Sequence, residues 1–186
     1  MQKMSVRTRV LTGAVALVAV GAGSFGAMSA SAAPKDDQAR PAAVAADLKK
    51  SETFTSTHLS IEAATKAARA ALAAAEKENQ RVSVAVVDRN GNTIVTLRGD
   101  GAGPQSYESA ERKAFTAVSW NAPTSELVKR LAQTPNLKDI PGTLFLGGGA
   151  PVASQGAPIA GIGVAGAPSG DLDEKFAQAG VAALGK

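Results

Sequence analysis

Few side chains in this 186-residue sequence can do chemistry, and two of them stand three positions apart, in Glu108-Ser109-Ala110-Glu111. On a helix that spacing sets both carboxylates on one face. Two oxygen donors so placed suit a hard cation, with ferric iron among the candidates. The pair also reads as a solvated helix face, because Arg112 stands four positions after Glu108 as an ordinary ion-pair partner. His58 is the single histidine. It lies among polar residues ahead of a helix, where a plain surface role is common. A neutral imidazole there would also suit a transition metal such as copper, or a haem iron. Cysteine is absent, which excludes disulfides, thiolate ligands and a cysteine nucleophile. With one histidine and no cysteine, no nucleophile and base can be paired, so no catalytic residue is assigned.

The elements that must position these groups centre on residues 81–121. Two apolar, β-branched runs, 82–87 and 93–97, flank Asp88-Arg89-Asn90-Gly91-Asn92. That pattern predicts a hairpin, since Asn-Gly supplies the positive φ a tight turn needs. Gly99-Asp100-Gly101-Ala102-Gly103-Pro104 follows as a glycine loop. It lacks the Lys-Ser/Thr of a phosphate loop and the dinucleotide glycine spacing, so it reads as the turn that aims the next helix. That helix is expected from about Ser106, with Ala110, Ala114, Ala117 and Val118 on its apolar face.

Upstream, residues 53–59 alternate loosely and suggest a short edge strand carrying His58. Ser60 then caps a helix with Glu62 in its first turn and Ile61, Ala64, Ala68, Ala71, Leu72 and Ala75 as its stripe. Downstream, Thr124 caps a third helix with Leu127, Val128 and Leu131 inward. Residues 134–142 form a loop broken by Pro135 and Pro141. A strand at 143–146, a turn at 147–151, a returning edge at 152–154 and a strand at 158–165 come next. In the last of these, Gly161 and Gly163 let another backbone come close. A closing helix spans 171–184, with Leu172, Phe176, Ala179 and Ala183 inward. Hairpin connections imply an antiparallel sheet with helices packed on it, a single small α+β domain over 53–186.

The first residues read as a leader. Lys3, Arg7 and Arg9 precede an apolar run at 10–20 and an Ala-x-Ala site ending at Ala32, which predicts a signal peptide over 1–32 and a secreted, extracellular product. A flexible tail is expected over 33–52. The formal charge of the whole chain is +4. Removing three basic residues and no acidic ones leaves 17 basic against 16 acidic side chains, a charge of +1. No basic stripe remains to support nucleic-acid binding. All three methionines, Met1, Met4 and Met28, leave with the leader. A secreted chain without disulfides and with few aromatics points to subunit contacts for stability.

Four stretches in fixed order, VSVAVVDRNGNTIVTLRGDGA, ERKAFTAVSWNAPTSEL, GTLFLGGGAPV and PIAGIGVAGAPSGDLDEKFAQAG, resemble the GlcG/HbpS-type haem-degrading domain family, in particular its secreted haem-binding branch. The resemblance covers about residues 59–184. It implies a homo-octamer that binds haem and iron outside the cell and works beside a membrane sensor histidine kinase of a two-component system, in redox stress. It implies an iron role for Glu108 and Glu111 and a hydroxyl ligand to haem from Gly142-Thr143-Leu144-Phe145, which is Thr143; His58 stays a second-rank metal candidate on its own imidazole chemistry. Leu144, Phe145 and Leu146 are then candidate walls of an apolar cleft. Two other activities fit the family: haem degradation with iron release by the iron's own oxygen chemistry, and a corrinoid- or small-acid-binding module.

Overall fold

The computed structural model describes residues 47–185; the expected leader and most of the expected tail lie outside them. Helix α1 (Ile61–Lys77) leads into the hairpin β1 (Ser83–Asp88) and β2 (Thr93–Arg98). Helices α2 (Pro104–Trp120) and α3 (Thr124–Arg130) come next, then β3 (Gly149–Ser154), β4 (Ala157–Ala165) and α4 (Gly170–Leu184). The four strands form one antiparallel sheet in the order β2-β1-β4-β3. The α+β fold expected from the sequence is the fold observed.

β1 is apolar from Val84 to Val87 because both sheet faces are covered. Val84 and Val86 join the main core with the alanines of α1 and with Phe176 and Ala177 of α4. Ala85 and Val87 face the other way, against Ala110, Ala114 and Val118 of α2. This is the period-two alternation of a strand, with an apolar layer on each side. On β4, Gly161 and Gly163 lie so close under α2 that an added Cβ would overlap the carbonyl oxygens of Ala114 and Ala110. The close approach expected from these glycines therefore has a definite partner, the backbone of α2.

Turn chemistry fixes both hairpins. Asp88 accepts hydrogen bonds from the amides of Asn90 and Asn92, both at 2.8 Å, and Gly91 takes φ +89°. Between β3 and β4, Gln155 and Gly156 both have positive φ, which suits the right-handed twist of the flanking strands.

Five local expectations fail. Residues 53–59 pair with no strand; Phe54 is 90% exposed, so the loose alternation had no apolar face to bury. Residues 143–146 are irregular rather than a strand, and the glycine-rich stretch expected as a turn instead starts β3, because Gly149 must tuck beneath Lys113 and Thr124. Thr124 is the first residue of α3 and not its cap; its hydroxyl accepts from the Gly149 amide at 2.8 Å. On α4 the buried face is Asp173, Glu174, Phe176, Ala177 and Gly180, one position off the purely apolar stripe, since two carboxylates have buried partners.

Candidate functional site

Helix α2 carries the groups of interest, and its start is set by backbone chemistry. Gly103 is the N-cap and Pro104 the first helical residue, where a missing N–H costs nothing. Arg98 ties the preceding loop down by donating to the Ala102 carbonyl at 2.7 and 3.1 Å. The glycine loop thus positions the helix, as its sequence suggested.

From α2, Glu108 reaches into solvent with its side chain 78% exposed, and Arg112 Nη1 stands 3.8 Å from its carboxylate. Glu111 is half-buried and accepts from the Thr96 hydroxyl of β2 at 2.9 Å. Arg112 turns its other nitrogen the opposite way: Nη2 donates to the Thr143 carbonyl at 2.8 Å. One helical turn later, the Thr116 hydroxyl accepts from the Leu144 amide at 2.8 Å. Two bonds from α2 therefore hold residues 143–144.

Thr143 ends a tight turn, Ile140-Pro141-Gly142-Thr143, with Gly142 at φ +79°. Proline followed by glycine in positive φ is the type II pattern. Both the amide and the hydroxyl of Thr143 donate to the Ile140 carbonyl, at 3.3 and 2.7 Å. Thr143 is only 2% exposed.

A shallow groove of about 290 Å³ runs beside this turn, lined by Val87, Gly91, Thr93, Glu111, Arg112, Phe115 and Gly142. Gly91 leaves room for the Phe115 ring, which a Cβ there would meet at 2.8 Å. The groove therefore combines an aromatic wall, a carboxylate and a guanidinium. The walls expected from residues 144–146 are arranged otherwise. Phe145 is buried against Trp120, ring centroids 5.3 Å apart, with Leu127 beside it. Leu146 borders a different hollow.

That second hollow, about 460 Å³, lies between Lys113, Ser125, Val128, Leu146 and the start of α4. At its base Lys113 Nζ donates to Asp173 Oδ2 at 2.8 Å and to the Val164 carbonyl at 3.1 Å, both side chains being almost wholly buried. Burial pushes the Asp173 carboxyl above its ordinary value, while Lys113 and the amides of Ala167 and Gly166 pull it part of the way back. Glu174 alongside accepts from the Ser125 amide and hydroxyl at 2.9 and 2.6 Å.

His58 is not brought to the groove. It is exposed ahead of α1, 2.7 Å from the Ser56 hydroxyl. Partial burial disfavours ionised Asp88, yet the amides of Asn92 and Asn90, the Asn92 side chain and the nearby His58 outweigh it and hold the carboxyl below its ordinary value. Among the described residues no three His, Asp or Glu side chains converge as a ready metal cage. Any cation at Glu108 and Glu111 would take two protein oxygens and complete its shell elsewhere.

The sequence reading passed over Phe115, Thr116 and the reach of Arg112. A Lys113 placed between Ala110, Ala114 and Ala117 on the apolar face was a visible sign of a buried ion pair. The Arg112–Thr143 bond joins residues 31 positions apart and left no local sign.

Residues 59–182 match the model of the family described as haem degrading protein HbpS-like. The chain belongs to the HbpS-like family. Among solved structures, this HbpS-like chain is 75% identical to Streptomyces reticuli HbpS carrying two glutamate-to-aspartate substitutions, with a TM-score of 0.77 over 78% of this chain and all of that one. It is 30% identical to the PduOC haem complex, with a TM-score of 0.63 over 68% of this chain and 95% of that one. It is also 31% identical over 121 residues to the corrinoid adenosyltransferase PduO of Citrobacter freundii, a match spanning 62% of this chain and 36% of that relative.

Proposed function

We propose that this HbpS-like chain binds haem in the groove beside Thr143 and binds iron at Glu108 and Glu111. The observation that carries the proposal is the groove itself: Phe115 and Val87 offer an apolar wall next to the Thr143 turn, in a chain 30% identical to PduOC, whose crystal structure is a haem complex. Apolar clefts with a few placed polar groups are the usual hosts for flat ligands. At about 290 Å³ the groove takes an edge of a porphyrin and leaves the rest to a second copy of the chain, in keeping with a homo-oligomer, for which we propose an octamer. The donor set fits haem only through oxygen, because Thr143 is the ligand candidate at the groove and its neutral hydroxyl is a weak donor. When bound, the haem iron would supply its own redox and oxygen chemistry. The protein's part is to wall off one face and to present or withhold the Thr143 oxygen.

The iron role of the acidic pair draws on the Streptomyces reticuli structure, in which two glutamates three positions apart were changed to aspartate. Glu108 and Glu111 are the pair at that spacing in this chain. His58 is proposed as a separate surface ligand for a transition metal such as copper. With the expected leader, the reading places the protein outside the cell, where its haem and iron state would change its contacts with the extracellular domain of a sensor histidine kinase. A second reading is haem degradation with iron release, favoured by the description of the matched family.

The test is to incubate purified protein with haemin and an electron donor and to analyse the pigment by mass spectrometry. Intact haem held at a fixed stoichiometry supports capture. A linear tetrapyrrole formed over many turnovers supports degradation, and haemin left both unbound and chemically unchanged overturns both.

A further inference from the structure

Thr143 is the candidate ligand, and it is closed off. Its hydroxyl and amide both donate to Ile140, its carbonyl is held by Arg112, and its surface is almost wholly covered. An iron atom cannot approach that oxygen until the 140–144 turn moves. The hold from Arg112 is the part of this closure that another site can influence, because the same guanidinium stands 3.8 Å from Glu108. It is also half-exposed, so it has room to swing outward.

We infer that Arg112 is a latch on the Thr143 turn, a positioning residue whose grip is set by the charge on Glu108 and Glu111. The inference rests on the haem and iron reading above. With the carboxylates free, the negative face of α2 keeps the guanidinium in place over the Thr143 carbonyl. A trivalent cation between the two carboxylates reverses the local charge and draws Glu108 away from Arg112. The guanidinium is then repelled, the Thr143 carbonyl loses its donor, and the turn is freer to expose its hydroxyl. Metal loading should therefore raise haem affinity, and by linkage haem should raise metal affinity by the same factor. The remaining bond, from the Leu144 amide to Thr116, keeps the segment anchored while residues 140–143 move.

The experiment is a haemin titration followed at the Soret band, with and without saturating gallium(III) nitrilotriacetate, a redox-silent stand-in for ferric iron. It is run on the full protein and on Arg112→Met, which keeps the aliphatic stem and removes the charge. The expected result is that gallium tightens haem binding about fivefold in the wild type. Arg112→Met should bind haem as tightly as the gallium-loaded wild type and show no further response to gallium. Weaker haem binding in Arg112→Met would mean that Arg112 holds the ligand itself, and would overturn the latch. So would a gallium response that persists in that variant, or two ligands that both bind without affecting each other. Failure of the wild type to bind haem or gallium at all would overturn the underlying reading, and the latch with it.

Discussion

Arg112 donates to the backbone carbonyl of Thr143 at 2.8 Å, and this bond joins the helix that carries the acidic pair to the turn that carries the candidate haem ligand. Glu108 and Thr143 lie 35 positions apart in the sequence, yet one guanidinium lies between them. The exposed acidic residue and the buried candidate ligand, which the family resemblance suggested separately, are thus joined through one side chain.

Lys113 and Asp173 tie α2 to α4 through a buried pair at 2.8 Å. Asp173→Asn leaves a buried ammonium without its counter-charge, which should cost about 3–5 kcal/mol. The double change Lys113→Met with Asp173→Leu removes both charges and should restore most of that loss. Urea denaturation of the wild type and the two variants checks this. A single variant within about 1 kcal/mol of wild type would contradict it.

Gly163 carries no side chain because the Ala110 carbonyl occupies the space. Gly163→Ala must push α2 off the sheet and should cost about 3 kcal/mol, the upper end of overpacking. Thermal melts would show a large loss of Tm. A melt unchanged from wild type would mean that α2 does not lie against Gly163.

Asp88 stabilises its turn only while ionised, since the amides of Asn90 and Asn92 donate to it. Its folded pKa lies below the ordinary value of 3.8, so its contribution is present above that value and is lost as pH falls through the lowered one. Asp88→Ala should therefore cost about 1–2 kcal/mol at pH 7. The gap from wild type should close as the pH falls through the folded value. Urea midpoints at pH 7, 5 and 3 measure this, and a gap that stays constant would count against the turn account.

Much of the frame was legible in the sequence for physical reasons. The hairpin at 83–98 is announced by β-branched runs around Asn-Gly, and α1 by Ser60 and its alanine stripe; Ser60 does accept from the Ala63 amide. What could not be read was decided by distant partners. Residues 143–146 have strand-like side chains but no strand to pair with, because α2 takes their backbone groups through Arg112 and Thr116. The glycines at 147–149 look like a turn, yet the sheet needs Gly149 as a strand residue beneath α2. The acidic pair was visible as spacing alone. That Glu111 spends one oxygen on Thr96 of β2, leaving Glu108 the freer partner, is a property of packing.

The measurement that tests the account most directly is haemin titration of wild type against Thr143→Val, which keeps the shape of the side chain and removes its oxygen. With Thr143 as the ligand, the wild type should give a saturable, red-shifted Soret band, and the variant a dissociation constant at least about tenfold weaker, equivalent to about 1.4 kcal/mol. Urea melts should show the variant still folded. An identical band and affinity in the two proteins would contradict Thr143 as the ligand and, with it, the place assigned to haem in this groove.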